Sequence, residues 1–182
     1  MGWYIEDDQV IVRYNNIDSG ETEYYRVNMR TNQKTFLYNG SGRQDISFTD
    51  PRDGRILVRT GIEPAGEGDW RVETYMLNEQ TGSMEREEPL DYMVSNRYQM
   101  DVVGYDEASG RYYIVTDKFS DKAAVYFYDP KADAFSEEPV FAHPDFSATD
   151  VILGSDEDNW NEPLGFTYAA DYEETYWLDP EL

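Results

Sequence analysis

The chain has 182 residues, of which 40% are hydrophobic, and a formal net charge of -23 at pH 7. That charge excludes binding to nucleic acid and to anionic membrane surfaces, because both require Lys and Arg to neutralise phosphate groups. The 16 Tyr, 8 Phe and 4 Trp argue against disorder and favour β-sheet. We interpret the acidic charge as a solubilising surface, with attraction of cationic ligands or peptides as the functional alternative.

The absence of cysteine excludes disulfides, thiolate nucleophiles and thiolate metal sites. It leaves the compartment open between cytoplasm and periplasm. No apolar run approaches the roughly 18 residues that a membrane span requires. Residues 1–8 lack the basic region and apolar core of a signal peptide. A signal peptide could still precede these residues if the chain begins within a longer protein.

Residues 100–144 predict a four-stranded antiparallel meander, and the rest of the chain resembles imperfect copies of it. Four runs rich in β-branched and aromatic residues alternate with segments rich in Asp, Gly, Pro and Ser. These runs are 102–105, 111–116, 123–128 and 134–141. Such a sheet has two apolar faces and must pack against neighbours of its own kind, which is typical of a β-propeller blade.

Two patterns repeat along the chain with a period of roughly 45 to 50 residues, which lies in the range of propeller repeats. One is a strand that enters a turn rich in Asp, Asn, Thr and Gly. It occurs at 26–34, 74–82, 126–133 and 176–180. The other is a turn followed by a strand, at 7–13, 50–59 and 106–116. The strand-like patterning excludes helical repeats.

We therefore predict an all-β fold: a single partial β-propeller over residues 1–182, with about four blades that are each a four-stranded antiparallel meander. The blades are placed at 3–40, 43–89, 100–144 and 146–182. Both terminal blades are predicted to be incomplete, because the first lacks its innermost strand and the last ends at its third. Residues 90–99 form a connector with room for a helical turn, and 61–69 and 155–163 are loops rich in Gly, Pro and Asp.

The last two blades resemble the propeller of the prolyl oligopeptidase family, especially its bacterial acylaminoacyl-peptidase and dipeptidyl-aminopeptidase types. The segments that carry the resemblance are 112–118, 123–130, 141–146, 150–153, 165–171 and 176–182. In that family an N-terminal propeller covers a C-terminal α/β-hydrolase domain with a Ser-Asp-His triad, gates access to it and helps to bind the peptide. The resemblance implies a non-catalytic segment of a serine peptidase, separate from its hydrolase domain.

None of the family's catalytic residues can be assigned to this sequence, so we predict that the chain alone is not an enzyme and needs no cofactor. The Gly-x-Ser-x-Gly nucleophile elbow does not occur in it. The only histidine, His143, precedes Pro144 in a loop. An imidazole bonded to the backbone is expected there, in preference to a general base.

An acidic loop is the best metal candidate, although it is a weak one. Asp156, Asp158 and Glu162 place hard oxygen donors close together, as calcium requires. The loop lacks the central Gly and the distant Glu of a calcium-binding loop. A solvated acidic loop is the alternative.

Two further groups of side chains are candidates for binding or chemistry. Glu85, Glu87 and Glu88 could supply the carboxylate pair of a glycosidase. Trp70 and Trp160 are predicted in loops, where they could stack on a ligand. Packing between blades accounts for most aromatic residues in this fold.

The partners expected in the parent protein are the α/β-hydrolase domain and the peptide substrate. The alternative is a free-standing acidic, propeller-like module that binds a protein or a cationic ligand. The unpaired outer strands of an isolated fragment would also promote self-association through the first and last blades.

Overall fold

The computed structural model describes residues 2–5, 8–18, 21–40, 44–50, 52–155 and 159–180. Its strands form four antiparallel sheets in which consecutive strands are neighbours, and its helical segments are two short 3₁₀ turns. The predicted all-β fold of meander sheets is confirmed and is consistent with a partial propeller. The chain divides into two compact units, Met1–Ser95 and Asn96–Leu182. That all four sheets surround one axis stays a prediction.

The first unit contains two of the sheets. Sheet 1 consists of β1 (Gly2–Ile5), β2 (Gln9–Asn15), β3 (Thr22–Asn28) and β4 (Lys34–Gly40). Sheet 2 consists of β5 (Gln44–Thr49), β6 (Ile56–Gly66), β7 (Asp69–Asn78) and β8 (Ser83–Arg86), with the short β9 (Tyr92–Met93) also paired to β7. The sheets share a core in which Ile11, Tyr24 and Ile46 are buried.

Two predictions for this unit are wrong. The first blade does not lack a strand, because β1 pairs with β2 from Gly2 to Ile5 and completes a four-stranded sheet. Residues 61–66 are not a loop, since β6 continues to Gly66 and the chain turns at Glu67 and Gly68. Both turn residues have positive φ, 52° and 83°, as two-residue hairpin turns require.

The connector between the two units is more regular than its sequence suggests. It contains β9 and two 3₁₀ turns, Glu88–Leu90 and Val94–Asn96, which fits the expected room for a helical turn. No helical segment in the described ranges is long and apolar enough to cross a membrane.

The second unit also contains two sheets. Sheet 3 consists of β10 (Met100–Asp106), β11 (Arg111–Thr116), β12 (Ala124–Asp129) and β13 (Ala134–Phe135). A separate bridge between Val125 and Phe141 extends its outer edge. Sheet 4 consists of β14 (Ser147–Leu153), β15 (Pro163–Ala169) and β16 (Glu173–Trp177). Within the described residues sheet 4 has three strands, as predicted.

The same side-chain turn ends the third strand of sheets 1, 2 and 3, which explains the repeat in the sequence. The Oδ1 atom of Asn28, Asn78 or Asp129 accepts the backbone N–H groups of the residues two and three positions later. Asn and Asp favour turns because their side chains bond to the backbone that follows. In each of these sheets the same side-chain turn therefore leads from the third strand into the outer strand.

A second turn repeats between the first and second strands of sheets 2 and 3. The carbonyls of Asp50 and Asp106 accept the N–H groups of Gly54 and Gly110. Both glycines have positive φ, 69° and 72°, a conformation that costs glycine little. This shared turn geometry explains why a turn followed by a strand repeats in the sequence at 50–59 and 106–116.

The core of the second unit depends on close packing of β14 against sheet 3. The buried residues of this core come from both sheets: Tyr113, Val115, Ala123, Val125, Ala148, Val151 and Phe166. Gly104 lies at a bulge in β10 where the sheets approach. A Cβ atom at this position would lie 2.9 Å from Leu153 Cδ1 and 3.1 Å from Val151 Cγ1. Glycine at 104 therefore sets the separation of the two sheets.

We expect Gly104→Val to lower the free energy of unfolding by about 1–3 kcal/mol, because its methyl groups would overlap Leu153 and Val151. Urea denaturation followed by fluorescence measures this change. Ala108→Val, in the exposed turn after β10, is the matched control and should shift stability by less than about 0.5 kcal/mol. Equal effects of the two substitutions would contradict the assigned role of Gly104.

Candidate functional site

His143 is an imidazole bonded to the backbone, as predicted. Its Nδ1 atom accepts the N–H groups of Asp145 and Phe146, at 3.1 and 3.2 Å. Its ring stacks on Tyr168 with centroids 4.4 Å apart. Because Nδ1 is occupied as an acceptor, the neutral ring carries its proton on Nε2. His143 orders the loop between sheets 3 and 4.

The calcium candidate lies mostly outside the described residues, since Asp156 and Asp158 are not among them. Glu162 is exposed, and its backbone carbonyl accepts the N–H of Gly154 at the start of the same loop. Within the described ranges, no group of three or more His, Asp or Glu side chains could hold a metal ion. The calcium site stays a prediction.

The glycosidase candidates Glu85, Glu87 and Glu88 make contacts with neighbouring turns and strands of sheet 2. Glu85 accepts hydrogen bonds from the side chains of Asn78 and Thr81, and these bonds lower the pKa of its carboxyl. A carboxyl kept ionised in this way is unsuited to proton donation. Glu87 donates its backbone N–H to Thr74, and Glu88 begins a 3₁₀ turn.

The two tryptophans differ in their surroundings. Trp70 lies on β7 rather than in a loop, opposite Pro64 of β6, and its side chain is exposed. Trp160 lies in the turn before β15 and is partly buried.

A cluster of ionised side chains on sheet 2 was not predicted from the sequence. Glu73, only 6% exposed, lies on β7 and accepts from the guanidinium of Arg71 at 2.6 Å and the hydroxyl of Tyr75 at 2.7 Å. Arg86 lies 3.2 Å from the same carboxylate and pairs with Asp91 at 2.5 Å. Two arginines thus balance two carboxylates.

The electrostatics of this cluster favour the fully charged state. The hydrogen bond from Tyr75, assisted by the two arginines, lowers the pKa of the Glu73 carboxyl although burial opposes this. The same bond raises the pKa of the Tyr75 hydroxyl. Asp91 also accepts the backbone N–H of Thr74 at 2.9 Å. The cluster therefore ties the connector that carries Asp91 to β7, and it supplies no free acid or base.

One signal of this cluster was visible in the sequence. A Glu followed two positions later by Tyr occurs on the third strand of both sheet 1 and sheet 2. In sheet 1 the Tyr25 hydroxyl donates to Glu23 at 2.6 Å, as Tyr75 does to Glu73. The spacing of about 50 residues matches the repeat. In sheet 2 the two arginines also balance the charge of the Glu73 and Asp91 carboxylates. The sequence pattern does not predict that Arg86 lies close to Glu73, because that contact depends on the pairing of β7 with β8.

Sheet 4 and the loop before it carry a continuous aromatic surface. We call it the acidic aromatic surface; its members are Phe141, His143, Phe146, Tyr168, Glu174 and Tyr176. Neighbouring rings lie with centroids 4.4 to 6.5 Å apart, and the Tyr168 hydroxyl donates to Glu174 at 2.9 Å. Tyr176 and Phe146 are exposed, 54% and 38%. Ring faces beside carboxylates attract cations.

The charge of the chain is distributed unevenly along the sequence. No Lys or Arg follows Lys131, whereas 14 Asp and Glu residues do. All of sheet 4 therefore lies in a segment without basic side chains. Such a one-signed field raises the local concentration of cations and repels acidic molecules.

Comparison with known proteins finds no matching family model, no significantly similar curated protein and no significantly similar solved structure. The arguments for function therefore depend on the sequence pattern and on the geometry above.

We expect Glu73→Gln to lower the free energy of unfolding by about 1–3 kcal/mol at pH 7, because the partly exposed Arg71 and Arg86 both lose their buried anionic partner. Since the folded pKa of Glu73 is lowered, its contribution is present above the ordinary value of 4.5 and is lost as the pH falls through the folded value. The stability of the variant should thus fall less steeply on acidification. Urea midpoints measured across the acidic range test both statements.

Glu23→Gln is the matched control, because Glu23 occupies the equivalent position and accepts from Tyr25. Within the described residues it has no arginine at ion-pair distance. Its substitution should cost less than about 1 kcal/mol. A loss equal to that of Glu73→Gln would show that the arginines contribute nothing.

Proposed function

We propose that this chain is a non-catalytic β-propeller segment of a prolyl oligopeptidase-like serine peptidase. Its sheets would gate access of the peptide substrate and pack against an α/β-hydrolase domain. The observation that carries this proposal is that the resembling segments fold in sequence order into one compact unit of two meander sheets. Segments 112–118 and 123–130 overlap β11 and β12. Segments 150–153, 165–171 and 176–180 overlap β14, β15 and β16.

The segment between the two sheets gives this proposal further support. Phe141 pairs with Val125 at the edge of sheet 3 and stacks on Phe166 of sheet 4, with centroids 4.8 Å apart and ring planes within 4°. The backbone N–H of Ala148 donates to Ala123 at 2.8 Å. The chain thus leaves the outer edge of one sheet and enters the first strand of the next, as in successive propeller blades.

The chemistry of the chain is consistent with a role in access and packing. Its single imidazole accepts two backbone N–H groups at Nδ1, and the buried carboxylate of Glu73 is balanced by arginines. Binding surfaces, and not reactive groups, are what these residues could contribute to a peptidase.

The chain alone should show no turnover of aminoacyl or peptidyl p-nitroanilides above buffer, because it contains no nucleophile elbow. The decisive measurement is made on the coding sequence around these residues. We expect it to encode, in frame, a hydrolase domain with a Gly-x-Ser-x-Gly motif. We also expect the longer protein to have peptidase activity that is lost when the serine of this motif is replaced by alanine. Turnover by the chain alone, or a hydrolase-free reading frame, would contradict the proposal.

A second candidate function is a free-standing acidic module that binds a cationic ligand. The acidic aromatic surface favours it, since its exposed rings and Glu174 belong to a segment of the sequence without Lys or Arg. Cation–π contacts at exposed sites contribute about 0.5–1 kcal/mol each, so a small cation would bind weakly.

For this candidate we expect Arg-Arg amide to shift the NMR signals of the Phe146 and Tyr176 rings, and the affinity to fall as salt is added. Tyr176→Ala should weaken binding about threefold, in line with the loss of one exposed cation–π contact. Tyr172→Ala is the control, because Tyr172 is 83% exposed and lies outside the surface. Equal loss in both variants would reject a specific site.

A further inference from the structure

Two arginines of the first unit, Arg26 on β3 and Arg59 on β6, pair with no acidic group in the described ranges. The Nε atom of each is buried and has no hydrogen-bond partner among the described residues. A buried donor without a partner has lost its hydration and gained nothing in return, which costs stability. Two such arginines are unexpected in a chain with 38 Asp and Glu residues.

The strand register places both side chains on the faces where sheets 1 and 2 meet. Arg26 pairs with Ile11 of β2, and paired residues of antiparallel strands carry their side chains on the same face. Arg59 pairs in the same way with Ile46 of β5. Ile11 and Ile46 are buried together with Tyr24 in the core that the two sheets share. The two arginines therefore enter the same inter-sheet region from opposite sides.

A pair of tyrosines links the two arginines. Tyr24 pairs with Tyr38 across β3 and β4, and their ring centroids are 6.2 Å apart. The guanidinium carbon of Arg59 lies 4.5 Å from the centroid of the Tyr38 ring. Arg26 follows Tyr24 by two positions, so Tyr38 is its diagonal neighbour, and a diagonal neighbour is within reach of a long side chain. Both arginines are thus neighbours of Tyr38.

Two carboxylates close to this region already have other partners. Asp45 pairs with Arg13 at 2.9 Å. Glu73 lies two positions before Tyr75, which is the residue opposite Arg59, but its carboxylate is held by two other arginines and by the Tyr75 hydroxyl. Neither carboxylate therefore balances the charge of the two arginines.

We propose that Arg26 and Arg59 bind a phosphoryl group, as inorganic phosphate or as a small phosphate monoester, between sheets 1 and 2. A guanidinium group presents its N–H donors in a planar fork that matches oxyanions, and two guanidinium groups supply two positive charges. A phosphoryl group carries a charge of about −1.5 to −2 at pH 7 and three acceptor oxygens, so it can satisfy both arginines. A carboxylate has one charge and balances only one of them. This inference does not rest on the peptidase kinship.

The acidic charge of the chain restricts the ligand to a small anion. At physiological ionic strength the Debye length is about 8 Å, so carboxylates farther from the site are largely screened. Both arginines are partly exposed, which lets a small anion reach them from solvent. A large polyanion would contact many acidic side chains at once and is repelled.

The first probe is inorganic phosphate, titrated against the whole chain in phosphate-free buffer with about 0.15 M sodium chloride. The Nε–H groups of arginines give NMR signals that report on the site directly. We expect the signals of Arg26 and Arg59 to shift together along one saturable curve with a Kd of about 1 mM. The signal of Arg30, an exposed arginine that pairs with Asp8, should stay unchanged.

Glycerol 3-phosphate is the second probe and separates the two sources of the phosphoryl group. Tighter binding than that of phosphate would assign the site to a phosphate monoester, and equal or weaker binding would assign it to inorganic phosphate. Acetate is the control anion, and we expect it to bind at least about tenfold more weakly, because it satisfies only one guanidinium group.

Arg26→Gln and Arg59→Gln should each weaken phosphate at least about tenfold, because hydrogen bonds to charged groups contribute more than neutral ones. Arg59→Lys keeps the charge and loses the fork, and it should weaken phosphate about threefold. Arg30→Gln is the matched control, since it removes the same charge from an exposed position and should change affinity less than about twofold. Circular dichroism checks the fold, and the signals of the unaltered chain decide the matter if a variant is unfolded.

Three results would overturn the proposal. The first is no saturable shift of the Arg26 and Arg59 signals at phosphate concentrations up to about 20 mM. The second is an equal loss of affinity in Arg30→Gln, which would show attraction by charge alone. The third is binding of acetate as tight as that of phosphate. Absence of peptidase activity or of a hydrolase reading frame bears on the proposed function and leaves this result unaffected.

Discussion

Burial of the apolar face of one meander sheet against the next sheet is the constraint on which the architecture depends. Tyr113 and Val115 on β11 are buried against Ala148 and Val151 of β14, so sheet 3 is stable only with sheet 4 beside it. An isolated sheet of three or four strands would leave one apolar face in water. A chain built in this way must repeat the meander sheet. The contacts at Gly104 show how closely two successive sheets approach each other.

The sequence predicted those features that local chemistry determines and missed those that depend on pairing. The turns at Asn28, Asn78 and Asp129 were recognisable because one side chain bonds to the backbone just after it. Strand β1 was missed because only its register with β2 identifies it. Pro64 and Gly66 gave residues 61–66 the composition of a loop, yet a long hairpin accommodates both. The contacts of Glu73 bring together residues up to 13 positions apart, which no spacing rule predicts.

Several basic residues pair with specific carboxylates, and the segment that follows Lys131 contains acidic residues without any Lys or Arg. Arg13 pairs with Asp45 between sheets 1 and 2, Arg55 pairs with three acidic groups from two turns of sheet 2, and the Glu73 cluster uses two arginines. After Lys131 no such partner exists in the sequence. Most ion pairs in the first unit are exposed and contribute little individually. The excess of acidic over basic residues is 14 in the 51 residues after Lys131 and only 9 in the 131 residues up to it, so the attraction for cations is expected to be strongest in the last segment.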